Sequence, residues 1–183
     1  MPGGKAYGVN RAYQVLCRDI LIARSDGSLK PYMGDGIDVP IRLGNTERTF
    51  DVALADPGGR IVVADCKRTT GPVKTVDLDA FAYRVELLRK QVGVEVAGVY
   101  FAKTAFQSGA VKAGADAHVQ VATCAEQQML NSFALVFHRY DPQLERRFRQ
   151  GELRTGGQIR PTGTLYIKVI RTDGAEEDHG QLG

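Results

Sequence analysis

Thr49-Phe50-Asp51-Val52-Ala53-Leu54-Ala55-Asp56-Pro57-Gly58-Gly59-Arg60-Ile61-Val62-Val63-Ala64-Asp65-Cys66-Lys67-Arg68 decides the fold. Two apolar runs flank Asp56-Pro57-Gly58-Gly59, in which Pro at the second turn position and Gly at the fourth suit a type I turn closed by a G1 bulge. In that hairpin Asp56 faces Arg60, and counting back along both strands sets Asp51 opposite Asp65. Side chains alternate along a strand, so Asp65 and Lys67 project to one side and Ala64 and Cys66 to the other. Two acids and an ammonium at the end of an apolar hairpin are costly to gather unless something offsets the charge, as a divalent cation does. The bland alternative is a surface patch holding an Asp–Lys cross-strand pair.

Asp51, thirteen intervening residues, then Asp65-x-Lys67 after an apolar strand resembles the PD-(D/E)xK nuclease signature, and within it the Mrr-like branch of restriction endonucleases. Gly98-Val99-Tyr100-Phe101-Ala102-Lys103-Thr104, with Phe106 and Gly109-Ala110, is similar to the Mrr-like pattern too. The resemblance spans roughly residues 10 to 123. It implies that Asp51 and Asp65 hold a catalytic Mg or Mn ion and that Lys67 positions and activates the attacking water. Many relatives carry a first-helix glutamate that joins the metal; here that position is Gln14, whose amide oxygen is a possible ligand but brings no charge. Asp19, or Asp35 and Asp38 in Gly34-Asp35-Gly36-Ile37-Asp38-Val39, are candidate substitutes. Asp38 also rivals Asp51 as the first acid, because the Gly-Ile-Asp run resembles the segment where that acid often lies. Asp51 is preferred because the hairpin count sets it against Asp65, whereas Asp38 lies one strand further off.

The surrounding periodicity predicts an α/β fold with a restriction-endonuclease-like core, a mixed central β-sheet flanked by helices. Asn10 is positioned to cap a helix whose Tyr13, Leu16, Cys17, Ile20 and Leu21 keep helical spacing. Leu78, Phe81, Ala82, Val85 and Leu88 give a second helix starting near Thr75, followed by an apolar strand at Val96–Phe101. A short Ala-rich helix after Ser108 and a strand at His118–Val121 complete the core order. Beyond it, Met129, Leu130, Phe133, Val136, Phe137 and Tyr140 are helical in period, which predicts a helix from Ala125 to Tyr140 ended by Pro142. A further short helix is expected at Leu144–Leu153 and a strand at Thr164–Ile170. The expected organisation is a nuclease-like core at 1–124, an extension of the same domain at 125–172, and a disordered acidic tail at 173–183.

At 183 residues, 43% hydrophobic and 25% charged, the chain suits one soluble globular domain. The Met1-Pro2-Gly3-Gly4 start carries no apolar signal segment and no stretch approaches a membrane span, so a cytoplasmic protein without membrane contact is expected. Cys17, Cys66 and Cys124 show no CxxC spacing and read as reduced core residues. His118, His138 and His179 belong to no ligand or triad spacing, and no Walker loop, Gly-x-Ser-x-Gly elbow or GxGxxG turn is present. The formal net charge of +3 is modest, but Arg146, Arg147, Arg149, Arg154, Arg160, Lys168 and Arg171 cluster ahead of an acidic end. Such a cluster suits sequence-independent phosphate contact, although a solvated helix face is the plain alternative.

The functional expectation is a divalent-metal-dependent endonuclease acting on nucleic acid, DNA in the first place, in restriction or anti-phage defence. Catalytic residues would be Asp51, Asp65 and Lys67; metal ligands Asp51 and Asp65, with Gln14 or Asp38 as further candidates; nucleic-acid contacts Arg68, Lys74, Arg84, Arg146, Arg147 and Arg149. A homodimer, or a partner protein of a defence system, is expected because cutting both strands favours two sites. The alternative is a catalytically inactive nucleic-acid-binding or scaffolding module on the same fold, and Gln14 keeps it open. A plain α/β interaction domain would require the acids to be incidental.

Overall fold

A computed structural model describes residues 4–127, 132–140, 162–171 and 176–182. The chain divides into two compact units, Met1–Arg68 with Ala80–Phe101, and Thr69–Asp79 with Ala102–Gly183, a boundary that cuts through the expected core 1–124. The architecture is mixed α/β, with the element order of helix, strand meander, helix, strand, short helix and strand that the sequence predicts.

In the first unit, helix α1 (Gly4–Arg24) precedes β1 (Lys30–Pro31), β2 (Ile37–Leu43), β3 (Thr46–Ala55) and β4 (Ile61–Lys67); helix α2 (Thr75–Val92), whose first residues up to Asp79 belong to the second unit, then leads to β5 (Val96–Ala102). β3 is the centre of the meander, pairing antiparallel with β1, β2 and β4. The hairpin turn is the predicted one: Gly59 N–H donates to Asp56 C=O, Asp56 N–H to Arg60 C=O, and Gly59 takes φ +85°. A Cβ at that left-handed position would be strained, so Gly59 supplies the bulge. β5 lies beside β4, and Ile61 N–H donates to Glu95 C=O at the start of both strands, so these two run the same way. Parallel neighbours need a crossover, which α2 provides, and the sheet is therefore mixed.

Phe50 packs edge-on against Phe81 of α2 at 6.3 Å, and Phe81 against Tyr100 of β5 at 5.5 Å. All the apolar residues predicted for α2 except Ala82 are fully buried, as are Tyr13, Cys17, Ile20 and Leu21 of α1. Asn10 is not a cap: α1 runs six residues further back, and Asn10 sits exposed within it, where an Asn costs at most about 0.7 kcal/mol relative to Ala.

In the second unit, α3 (Ser108–Asp116) leads to a meander of β6 (Val119–Gln127), β7 (Ser132–Tyr140), β8 (Thr162–Arg171) and β9 (Glu176–Leu182), each antiparallel to the next. The helix predicted over 125–140 is thus replaced by the end of β6 and all of β7. Its helical spacing arose from a segment apolar at both parities: Phe133, Leu135 and Phe137 alternate with Ala134, Val136 and His138. Aromatic and β-branched residues in such a run favour strand once partners on both sides satisfy the backbone. Residues 176–182, expected as disordered tail, form β9, and Thr162–Arg171 contains the predicted strand. The helix expected at 144–153 lies outside the described residues. α3 seats closely: a Cβ on Gly114 would stand 3.0 Å from Val121 Cγ1, 3.1 Å from Leu78 Cδ2 and 3.1 Å from Val119 O. Among the described residues no helix is long and apolar enough to cross a membrane.

Candidate active site

The site lies in the first unit, where the β3–β4 ladder stops. Paired residues run from Ala55↔Ile61 to Val52↔Ala64, and one further step of that register sets Asp51 opposite Asp65, as counted from the turn. There, side chains replace backbone partners. Cys66 N–H donates to Asp51 Oδ2 at 2.7 Å, the backbone N–H of Asp51 bonds the Asp65 carboxylate, and Arg84 Nη1 donates to Thr49 C=O at 2.8 Å. Each acid is thus fixed by the strand that bears the other.

The β2–β3 register extends the row. Ile37 pairs with Val52 and Val39 with Phe50, so Asp38 falls opposite Asp51. Asp38 and Asp51 are therefore neighbours across β2 and β3. Gln14 of α1 joins them: its Nε2 donates to Asp38 Oδ1 at 2.8 Å and to Asp51 Oδ1 at 3.1 Å. Gln14 presents its NH2 group to this pair as a neutral double donor. Arg11 Nη1 reaches Asp38 Oδ2 at 3.3 Å and Arg11 Nη2 reaches Asp35 at 2.7 Å, so two turns of α1 pin the loop before β2. Asp38 itself sits at φ +50°, a backbone region that non-glycine residues enter rarely and at a cost. Asp19 is exposed and pairs with Arg18.

Electrostatically the row is unevenly compensated: Asp38 pairs with Arg11 and Asp65 with Arg84, whereas the donors to Asp51 are neutral. Burial pushes the Asp51 carboxyl above its ordinary range, against lowering by Cys66 N–H and Gln14, and the Asp38 charge raises it further. Burial pushes Asp65 up to about 6; Arg84 works against this, and the negative charge of Asp51 adds to it. Arg84 of α2 forms an ion pair with Asp65 Oδ2 and lies over the rings of Phe50 and Phe81, 5.2 Å and 5.6 Å from their centroids. Lys67 is half-buried, two residues past Asp65 and on its side of β4 by strand alternation.

The donor set fits a hard divalent cation in kind. Two carboxylates, Asp51 held by neutral donors and Asp65 by the Arg84 guanidinium, both disfavoured in their charged form by burial, offer the oxygen ligands that Mg prefers, and Mg completes its shell with water. It does not amount to a full protein cage: among the described residues, no three His, Cys, Asp or Glu side chains are grouped to hold a metal. Of the residues expected to contact nucleic acid, Arg68 and Lys74 are exposed, Arg84 is turned inward onto Asp65, and Arg146, Arg147 and Arg149 lie outside the described residues. Sequence reasoning missed both the Asp38–Gln14–Asp51 bridge and the inward Arg84.

Fold and site together define a mixed α/β protein with a carboxylate row across β2, β3 and β4. No protein-family model and no curated protein matches the chain. Among solved structures it is similar to EndoMS in complex with double-stranded DNA, at 21% identity and a TM-score of 0.43, over 58% of this chain and 42% of that one. A repair endonuclease from Pyrococcus abyssi matches at 23% identity and TM-score 0.42, over 56% of this chain and 43% of its own. EndoMS in apo form matches at 23% identity and TM-score 0.33, over 56% and 40%. The chain thus spans less than half the length of each of these proteins.

Proposed function

We propose that the chain is a divalent-metal-dependent endonuclease of the PD-(D/E)xK kind, hydrolysing phosphodiester bonds of DNA. The observation that carries this reading is the register that aligns Asp51 with Asp65, with Lys67 one pleat further along β4. Asp51 and Asp65 would hold a single Mg or Mn ion, with Asp38 beside them across β2 and β3. Bound there, such an ion supplies a Lewis acid that polarises the scissile phosphate and acidifies the attacking water. Lys67 orients that water and stabilises the charge that develops on the phosphoryl oxygens. Gln14 and the Cys66 N–H keep Asp51 in place, and exposed Arg68 and Lys74 meet the DNA backbone without reading sequence. In the same proposal the enzyme is cytoplasmic, serves restriction or anti-phage defence in the Mrr-like manner, and acts as a homodimer, since cutting a duplex takes two sites.

Two observations favour a second reading, an inactive nucleic-acid-binding or scaffolding module. Gln14 leaves the row without the charge a glutamate would bring, and a guanidinium already occupies Asp65. Calorimetry with Mn ions and cleavage of plasmid DNA separate the two. The enzyme reading expects Asp51→Asn and Asp65→Asn each to weaken Mn binding, and Lys67→Ala to abolish cleavage while DNA binding survives. A wild-type protein that binds DNA and never cuts it, across Mg and Mn and across linear and supercoiled substrates, establishes the module instead.

A further inference from the structure

Asp51 and Asp65 are held in different ways. The side-chain and backbone donors to Asp51, Gln14 and the Cys66 N–H, are neutral, whereas Asp65 carries a formal cation against one oxygen. That cation does not leave by deprotonation, because a guanidinium stays charged at any pH the fold survives. Nor is it a loosely draped surface arginine. Nη1 is tied to the Thr49 carbonyl at 2.8 Å, the guanidinium lies over the faces of two buried aromatic rings, and its side chain is 21% exposed against 19% for Asp65. The Thr49 carbonyl that accepts Arg84 belongs to β3, three residues before Val52, so the strand that bears Asp51 also holds the arginine in position. Charges this far out of water are screened weakly, by the surrounding dipoles more than by salt.

We propose that Arg84 is the resident counter-cation of the site, a guanidinium that competes with a divalent ion for Asp65 and thereby sets how tightly that ion binds. The inference rests on the reading of Asp51 and Asp65 as metal ligands and adds to it a residue that opposes loading. An ion entering beside Asp51 meets a carboxylate already neutralised and a fixed positive charge directly behind it. Both effects lower affinity for the free ion, and both disappear when the charge on residue 84 is removed. Arg84 is then neither a DNA contact nor a mere packing residue.

The experiment titrates Mn ions alone into the intact protein and follows heat and the loss of the free-ion paramagnetic resonance signal. Arg84→Gln should bind Mn at least about tenfold more tightly than wild type, the change expected when about 1.4 kcal/mol of repulsion is lifted. Arg84→Lys, which keeps the charge, should stay within about threefold of wild type on the same scale. Should Arg84→Gln fail to fold, Arg84→Met retains an apolar stem over Phe50 and Phe81 and carries the same expectation. A folded uncharged variant with unchanged or weaker Mn binding overturns the proposal, as does one that remains silent when wild type is silent. Asp51→Asn in the wild-type background keeps the two readings apart. If it removes Mn binding while Arg84→Gln changes nothing, the metal site stands and the role of Arg84 falls. If Arg84→Gln gains Mn binding that wild type lacks, the competition is upheld and the wild-type chain is the unloaded module.

Discussion

Neutralising Asp65 should stabilise the metal-free protein, and increasingly so as the pH rises. Its carboxyl is raised from 3.8 to about 6, so the folded state holds the proton more tightly than the unfolded chain. For a group raised in this way, the favourable contribution is complete below pH 3.8 and is lost as the pH climbs through 6. A shift of about two units at about 1.4 kcal/mol each makes the charged carboxylate cost about 3 kcal/mol at neutral pH, relative to its protonated form. The attraction of Arg84 is already contained in that net figure, since it acts against burial on the same group. Of the about 3 kcal/mol, about 2 is lost between pH 4.5 and 7.5 by the same linkage. Urea unfolding of wild type and Asp65→Asn in EDTA, at fixed ionic strength and several pH values, should therefore show the two stabilities diverging by about that amount in favour of the variant. Asp51 shifts in the same direction and steepens the wild-type curve. Parallel curves would mean that Asp65 titrates as it does in the unfolded chain. Curves diverging the other way would mean that the Arg84 ion pair outweighs burial and holds Asp65 ionised.

Gln14→Glu in EDTA should destabilise the protein by about 1–3 kcal/mol, because two amide donors to Asp38 and Asp51 become a third negative charge; Mn should recover part of that loss, as read by thermal melts with and without the ion. Phe81→Leu should cost about 1–3 kcal/mol in urea unfolding, since Phe50 and Tyr100 both lose an edge-to-face partner. Gly114→Ala gains about 1 kcal/mol of helix propensity but forces a methyl onto the Val119 carbonyl and the side chains of Leu78 and Val121, an overpacking of about 1–3 kcal/mol. A lower melting temperature is the expected balance, and a higher one would show that α3 has room to shift.

The hairpin was legible because a turn fixes a register. Asp56-Pro57-Gly58-Gly59 specified where β3 and β4 cross over, and every cross-strand neighbour down to Asp51 and Asp65 followed by counting. The same count was open on the other side of β3. Gly44-Asn45 is a two-residue connection between Leu43 and Thr46, and extending that pairing sets Asp38 opposite Asp51. Likeness to a motif makes Asp38 a rival of Asp51, and local geometry makes it a neighbour as well. Periodicity failed at β7 for a different reason. Its apolar residues fall at both parities instead of alternating with polar ones, so they satisfy helical spacing as easily as strand spacing. Arg84 shows the deeper limit. In the sequence it is one more basic residue on a helix, and nothing in its spacing distinguishes a guanidinium facing solvent from one facing a carboxylate nineteen residues earlier. That distinction depends on where β3 and β4 stop pairing. The last β3–β4 pair is Val52↔Ala64, Thr49 lies beyond it, and the arginine one turn along from Phe81 reaches both the Thr49 carbonyl and Asp65. The charge on Asp65 is thus balanced by a residue that tertiary packing, not sequence spacing, brings to it. Shifting the β3–β4 register by one residue would, by the alternation of side chains, turn Asp65 away from Asp51 and take the proposed metal site apart.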